Sequence, residues 1–239
     1  MAYEHFYQFY DHLMSDVNYN EYINIVKKYA KKKDLILDIA CGTGNVLIEL
    51  LKADYNISGL DISDEMLLVC KEKLLKANLT TNLYQDDMRN IQVLEYYNII
   101  ISFLDSINYL TSIKDINQTF SNINKALKEE GYFIFDVHSL ENVNEVFDRF
   151  CYNEVEDDYS FLWNSFVNKK ENYSSVFHEL TFFLKTETNR YTKLREFHEQ
   201  VVFTINIYKE LLEKNNFLIE KIIENESNKI IFVAKKCST

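Results

Sequence analysis

A chain of 239 residues, 47% hydrophobic and 15% aromatic, can bury one sizeable core and suits a single α/β domain with a small insertion. Its formal net charge of −11 repels phosphate backbones and no basic patch offsets it, which excludes DNA or RNA as an expected substrate. Four cysteines at 41, 70, 151 and 237 lack metal-ligand or CxxC spacing. The first residues carry no signal-peptide pattern, and the longest apolar stretch is too short for a bilayer, so a reduced, cytoplasmic, metal-free protein is expected.

Two helices are predicted first, over 2–13 and 18–31, with Asn18 or Asn20 as a cap for the second. Strand 35–40 then runs into the turn Asp38-Ile39-Ala40-Cys41-Gly42-Thr43-Gly44-Asn45 and helix 45–52. Strand 56–61 ends at Asp61 and leads to helix 64–77, for which Ser63 is the predicted cap. Strand 81–85 enters the loop Asp86-Asp87-Met88-Arg89, and strand 97–103 is followed by a helix over 112–128 that Gly131 is expected to end. Strand 132–137 completes an alternation that signals a doubly wound, Rossmann-like parallel sheet with helices on both faces. The rhythm then changes. A short helix within 139–149 precedes residues 150–203, where Phe161, Trp163, Phe166, Val176, Phe177, Leu180, Phe182 and Leu184 predict an antiparallel insertion. Helix 205–215 and strands 217–223 and 229–235 close a seven-stranded sheet, and the polar turn 224–228 forces one of those last strands to be antiparallel.

The most informative feature is the turn after the first strand. The chain has four glycines, and two of them lie there. Glycine lets backbone approach a ligand closely, and the following helix directs its free N–H groups at the same place. Asp61, ending the next strand, is placed to accept from both hydroxyls of a ribose. An adenosine-type cofactor follows. A dinucleotide fingerprint would want a third glycine where Leu47 stands.

Asp38 through Gly44, Asp61, and Asp86-Asp87-Met88 together resemble the class I S-adenosylmethionine-dependent methyltransferases, over nearly the whole chain. The opening Tyr3-Glu4-His5-Phe6 to Met14, and Phe135-Asp136-Val137-His138-Ser139, resemble a narrower group, the small bacterial methyltransferases of the YqeM type. The resemblance implies S-adenosyl-L-methionine as cofactor. It also implies that residues 1–33 form a helical lid, 34–138 the cofactor-binding core, 139–203 an insertion over the active site, and 204–239 the remainder of the core. Ala40, Gly42 and Gly44, with Asp38 beside them, would face the methionine moiety. Asp87 would accept from the adenine amine, the Met88 N–H would meet the ring edge, and Phe103 with Leu104 would border the methyl.

Other positions stay open between two readings. Ile62 and Met66 either sandwich the adenine or belong to the core. Tyr10 either closes over the cofactor or packs between helices. His138 is a general base, an acceptor-orienting group or a structural histidine. Glu196, His198 and Gln200 share one strand face, which lines the acceptor pocket or faces water. Trp163 is expected in the core, and the acidic stretch 154–158 in a solvated loop. Phe103-Leu104-Asp105-Ser106 departs from the Asn/Asp-Pro-Pro-Tyr pattern of amino-methylating DNA enzymes. The expected reaction is methyl transfer by in-line displacement to a small acceptor's nitrogen or oxygen, with His138 and His198 as catalytic candidates, in a monomer or homodimer. An NAD-dependent oxidoreductase and a non-catalytic cofactor-binding protein are the alternatives.

Overall fold

The computed structural model describes residues 7–187, 190–225 and 228–238. The stretch Tyr3–Phe6, the first residues of the predicted helix 2–13, and Glu226 and Ser227 of the polar turn lie outside them. The described elements begin with α1 (Tyr7–Leu13) and α2 (Tyr19–Tyr29), followed by β1 (Leu35–Ile39), α3 (Asn45–Lys52), β2 (Asn56–Asp61), α4 (Asp64–Lys76), β3 (Leu83–Gln85), β4 (Tyr97–Ser102), α5 (Ile113–Ala126) and β5 (Leu127–His138). The short α6 (Leu140–Asn142) opens the insertion, whose strands are β6 (Cys151–Val155), β7 (Tyr159–Lys169), β8 (Tyr173–Glu187) and β9 (Arg190–Phe203). The chain closes with α7 (Ile205–Lys214), β10 (Phe217–Glu224) and β11 (Lys229–Lys236).

The expected α/β fold is present. Seven strands form one sheet in the order β10-β11-β5-β4-β1-β2-β3, and β11 runs antiparallel to both β10 and β5. The chain leaves β1 toward β2 and β3, then returns to place β4 on the other side. Ligands bind beyond the strand ends at such a switch point. The sheet is buried on both faces, so each strand feeds two cores by its two-residue period. Leu37, Ile100, Phe133 and Phe135 face α5 and α7; Ile36, Ile99, Ile101 and Ile134 face α2, α3 and α4. Phe135 stacks between Phe133 and Phe232, with centroids 4.5 and 5.0 Å away. Each ring so buried contributes about 2–3 kcal/mol.

Two local expectations are corrected. Gly131 does not end a helix: α5 stops at Ala126 and the chain is already strand at Leu127. Gly131 lies where β5 bulges, between the pairs Tyr97–Leu127 and Ile99–Tyr132. A Cβ there would come within 2.9 Å of two backbone oxygens, those of Lys128 and Asn98, so only glycine fits. Asn18 sits at the cap of α2 without a side-chain bond to it, whereas Ser63 does cap α4, accepting from the Met66 N–H at 3.1 Å.

The expected antiparallel insertion is a four-stranded sheet ordered β6-β7-β8-β9. Phe161, Leu180 and Phe182 face inward onto Phe9 and Leu13 of α1 and Met66 of α4. Phe166 and Phe177 have the opposite parity and are exposed. Helix α1 is held from two more sides. Asp11 accepts from Thr43 and Asn45 in the glycine turn and from Lys73 of α4, while His12 is 2.8 Å from Glu154 on β6.

Candidate active site

The glycine turn is built by unusual backbone. Ala40, Gly42 and Gly44 all have positive φ, at 57°, 54° and 79°. The two glycines serve different ends. A Cβ on Gly42 would meet nothing within 4 Å, so the cleft lies open before it. A Cβ on Gly44 would fall 2.4 Å from Cys70 Sγ, so this residue lets α4 pack against the turn rather than lining the cleft. Gly44→Ala combines that overlap with a left-handed backbone. It is expected to destabilise the fold by about 1–3 kcal/mol, measured by urea denaturation.

The cleft in front of Gly42 has a volume of about 380 Å³ and is bordered by Tyr10, Ala40, Asp61, Ile62, Met66, Met88, Leu104 and Tyr109. Asp61 is held by backbone donors: Gly42 N–H gives to Oδ2 at 2.7 Å and Ser63 N–H to Oδ1 at 2.9 Å. Burial nevertheless pushes its carboxyl above the ordinary range, because those bonds do not replace water fully. Asp38, pushed up by burial, borders a smaller hollow with Tyr10, Tyr19, Thr43 and Phe103. Among the described residues neither acid has an ion-pair partner, so both favour a cationic or hydroxyl-bearing ligand.

Met66 is both wall and core, 2% exposed against the insertion, whereas Ile62 is 58% exposed at the cleft rim. Asp87 and Met88 border an adjoining hollow with Ile62 and Asp86. Asp87 is not idle there. It caps a short turn through the Arg89 N–H and chelates the Arg89 guanidinium, which holds its carboxyl below the usual range.

Past β4, Leu104 and Asp105 follow one another with φ of 59° and 55°. This strained corner turns Asp105 into a second cavity, of about 210 Å³. His138, His178, His198, Gln200 and Lys229 stand around it, with Trp163, Phe147 and Tyr109 as aromatic walls. Asp105 is the hub. It pairs with the Lys229 ammonium, accepts from Gln200 Nε2 at 2.6 Å, and lies 3.4 Å from His138 Nε2. Burial alone would raise its carboxyl, but Lys229 and His138 hold it far below the ordinary range. Burial works against the Lys229 charge, and Asp105 and Asp136 outweigh it. His178 is lowered to about 4, by burial first. Its Nδ1 meets Trp163 Nε1 at 3.0 Å and Ser165 Oγ at 2.7 Å. The His138 ring, 7% exposed, keeps Nδ1 without a hydrogen-bond partner among the described residues.

The structure thus brings together both catalytic candidates, His138 and His198, around one cavity. It places Tyr10, Asp38, Ala40, Gly42, Asp61, Ile62, Met66, Met88 and Phe103 along the cleft and its adjoining hollows. Tyr10 and Leu104 border the cleft, the small hollow and the second cavity alike. Glu196, His198 and Gln200 are all buried on the inner face of β9. Trp163, expected in the core, stands instead in the cavity wall. Asp105, Tyr109, His178 and Lys229 were not among the candidates. Only for His178 was there a signal: a second histidine on the strand before His198, meeting it directly once β8 and β9 are in register.

Comparison with known proteins agrees with this geometry. A methyltransferase domain family matches residues 36–131. A Bacillus subtilis protein named as a methyltransferase, YqeM, is 32% identical, over 100% of this chain and 99% of its own length. The crystal structure of an S-adenosylmethionine-dependent methyltransferase from Clostridium acetobutylicum superposes with a TM-score of 0.81 at 25% identity, covering 100% of both chains. The sugar N-methyltransferase KedS8 of Streptoalloteichus shares the fold with a TM-score of 0.77 at 17% identity, over 96% of this chain and 93% of its own. Among the described residues no helix is long and apolar enough to cross a membrane, and no cluster of His, Cys, Asp and Glu could hold a metal ion. Two acids without an ion-pair partner among the described residues, beside an open glycine turn, fit a cofactor with a ribose and a positive sulfonium, and the chain belongs to the S-adenosylmethionine-dependent methyltransferases.

Proposed function

We propose that the protein methylates the nitrogen of a small amine that enters the 210 Å³ cavity. The observation that carries this is the pair Tyr10 and Leu104, which border both the cofactor cleft and a separate, aromatic-walled cavity. Bound S-adenosylmethionine supplies an activated methyl group, so the chain's work is alignment and exclusion of water. Asp61 holds the ribose, Asp38 with Ala40 and Gly42 holds the methionine end, and Ile62, Met66, Asp87 and Met88 frame the adenine. Phe103 and Tyr10 close the path around the methyl. Residues 1–33 act as the lid and 139–203 as the acceptor-binding insertion, completed by 34–138 and 204–239 as the core.

Charge favours an amine over a hydroxyl acceptor. The cavity and the group directly behind His198 carry two carboxylates, Asp105 and Glu196, against the one ammonium of Lys229, while His178 stays neutral. That excess, with the faces of Trp163 and Phe147, attracts a cation. His138 and His198 are the groups that orient the acceptor and manage its proton. The sugar N-methyltransferase activity named for KedS8 is in keeping with this acceptor class.

The test is formation of S-adenosylhomocysteine from S-adenosylmethionine over a panel of small primary and secondary amines, alcohols and phenols. Turnover confined to amines is expected. Turnover confined to hydroxyl acceptors would overturn the amine reading.

A further inference from the structure

Tyr109 borders both the cofactor cleft and the acceptor cavity. Behind it runs a chain of two hydrogen bonds. Its hydroxyl is 3.2 Å from His198 Nδ1, and His198 Nε2 is 3.0 Å from Glu196 Oε2. Glu196 and His198 are each 4% exposed. An ionised carboxylate only accepts, so Nε2 carries the imidazole proton; Nδ1 then presents a lone pair, and the Tyr109 hydroxyl donates to it. A buried acid that fixes an imidazole tautomer, which in turn receives a hydroxyl proton, is the logic of an activated oxygen base.

The cavity's other two histidines are placed differently. His178 is a weak base, lowered to about 4 by burial, and Trp163, Ser165 and Gln200 contact its ring nitrogens. His138 turns Nε2 toward Asp105, and its Nδ1 is left to meet a ligand.

We propose that Tyr109 is the general base of the methyl transfer, with His198 and Glu196 as positioning residues that receive and hold its proton. This rests on the amine reading above. The acceptor ammonium gives one proton to the Tyr109 oxygen as the phenol proton passes to His198 Nδ1. The freed nitrogen lone pair forms the N–CH3 bond, and the electron pair of the broken S–CH3 bond stays on sulfur. The imidazolium so formed is held by the Glu196 carboxylate. His138 Nδ1 orients the acceptor by a hydrogen bond.

The test is nitrogen NMR of the full chain labelled in its histidines, with S-adenosylhomocysteine bound. His198 is expected as the Nε2–H tautomer, and Tyr109→Phe is expected to move its Nδ1 resonance. Glu196→Gln is expected to redistribute the tautomers. A proton on Nδ1, or an Nδ1 resonance indifferent to Tyr109→Phe, overturns the relay. With whichever of benzylamine, ethanolamine and glucosamine is turned over, Tyr109→Phe should slow transfer about 10²-fold, and its rate should rise with pH toward the free amine's own pKa. Equal rates and equal pH profiles also overturn it. Wild type that fails to bind S-adenosylhomocysteine would instead count against the cofactor site, and the tautomer measured without ligand would still decide the relay.

Discussion

Asp61→Ala is expected to weaken S-adenosylhomocysteine binding by about 10²-fold or more, read by calorimetric titration, since hydrogen bonds to a charged group are worth about 1.5–3 kcal/mol each. Two such bonds, to the two ribose hydroxyls, would be lost together. The damage extends beyond the ligand. The same carboxylate accepts from the Gly42 and Ser63 N–H groups, so it ties the glycine turn to the start of α4. Asp61→Asn is therefore no rescue: its amide can offer a carbonyl oxygen to one of these donors and must turn an NH2 toward the other. Both variants should lose affinity, with alanine the worse. Unchanged affinity in either would remove Asp61 from the cofactor site.

Asp105→Ala should cost about 3–5 kcal/mol of stability, because it strands the buried Lys229 ammonium with a carboxylate no nearer than 3.8 Å, that of Asp136. For a chain of this size that corresponds to a fall of roughly 6–20 °C in Tm. Pairing it with Lys229→Met should recover much of the loss, since the charge left alone is then gone. The pH dependence has a definite sign. The Asp105 carboxyl titrates lower in the folded protein than in the unfolded chain, so its ionised form stabilises the fold. That contribution is complete above the carboxyl's ordinary value of 3.8 and fades as pH falls below it toward the depressed folded value. Asp136, raised by burial, works in the opposite direction. The gap in stability between wild type and Asp105→Ala should thus be full at pH 7 and begin to close only below the ordinary carboxyl range, being somewhat smaller near pH 3. A gap of equal width at both would show that the Asp105 charge is not what holds the corner.

The sheet was legible because its signals are local. The runs Leu35–Ile39 and Tyr97–Ser102 are apolar on both faces, as strands buried between two helical layers must be. Helix α4 announced its start with Ser63, and that hydroxyl does cap it. Gly42 and Asp61 could be read because a tight turn and an acid at the next strand end impose residue types within a short span. Gly131 misled for an instructive reason. A glycine after a helical pattern usually ends it, but here the constraint is two backbone oxygens, one of them on the neighbouring strand β4, and that crowding has no sequence signature.

The acceptor side was readable only in fragments. The alternation of Glu196, His198 and Gln200 declares one face of a strand, but not whether that face meets water. By itself the sequence determined the α/β order, the glycine turn and the acid that accepts from it, since each rests on short local signals. The tertiary structure alone decided the cavity around Asp105. Asp105, His138, His178, His198 and Lys229 come from the ends of β4 and β5, two strands of the insertion and the first residue of β11. No local pattern records their meeting, because it is set by strand register and by how the insertion packs across the end of the sheet.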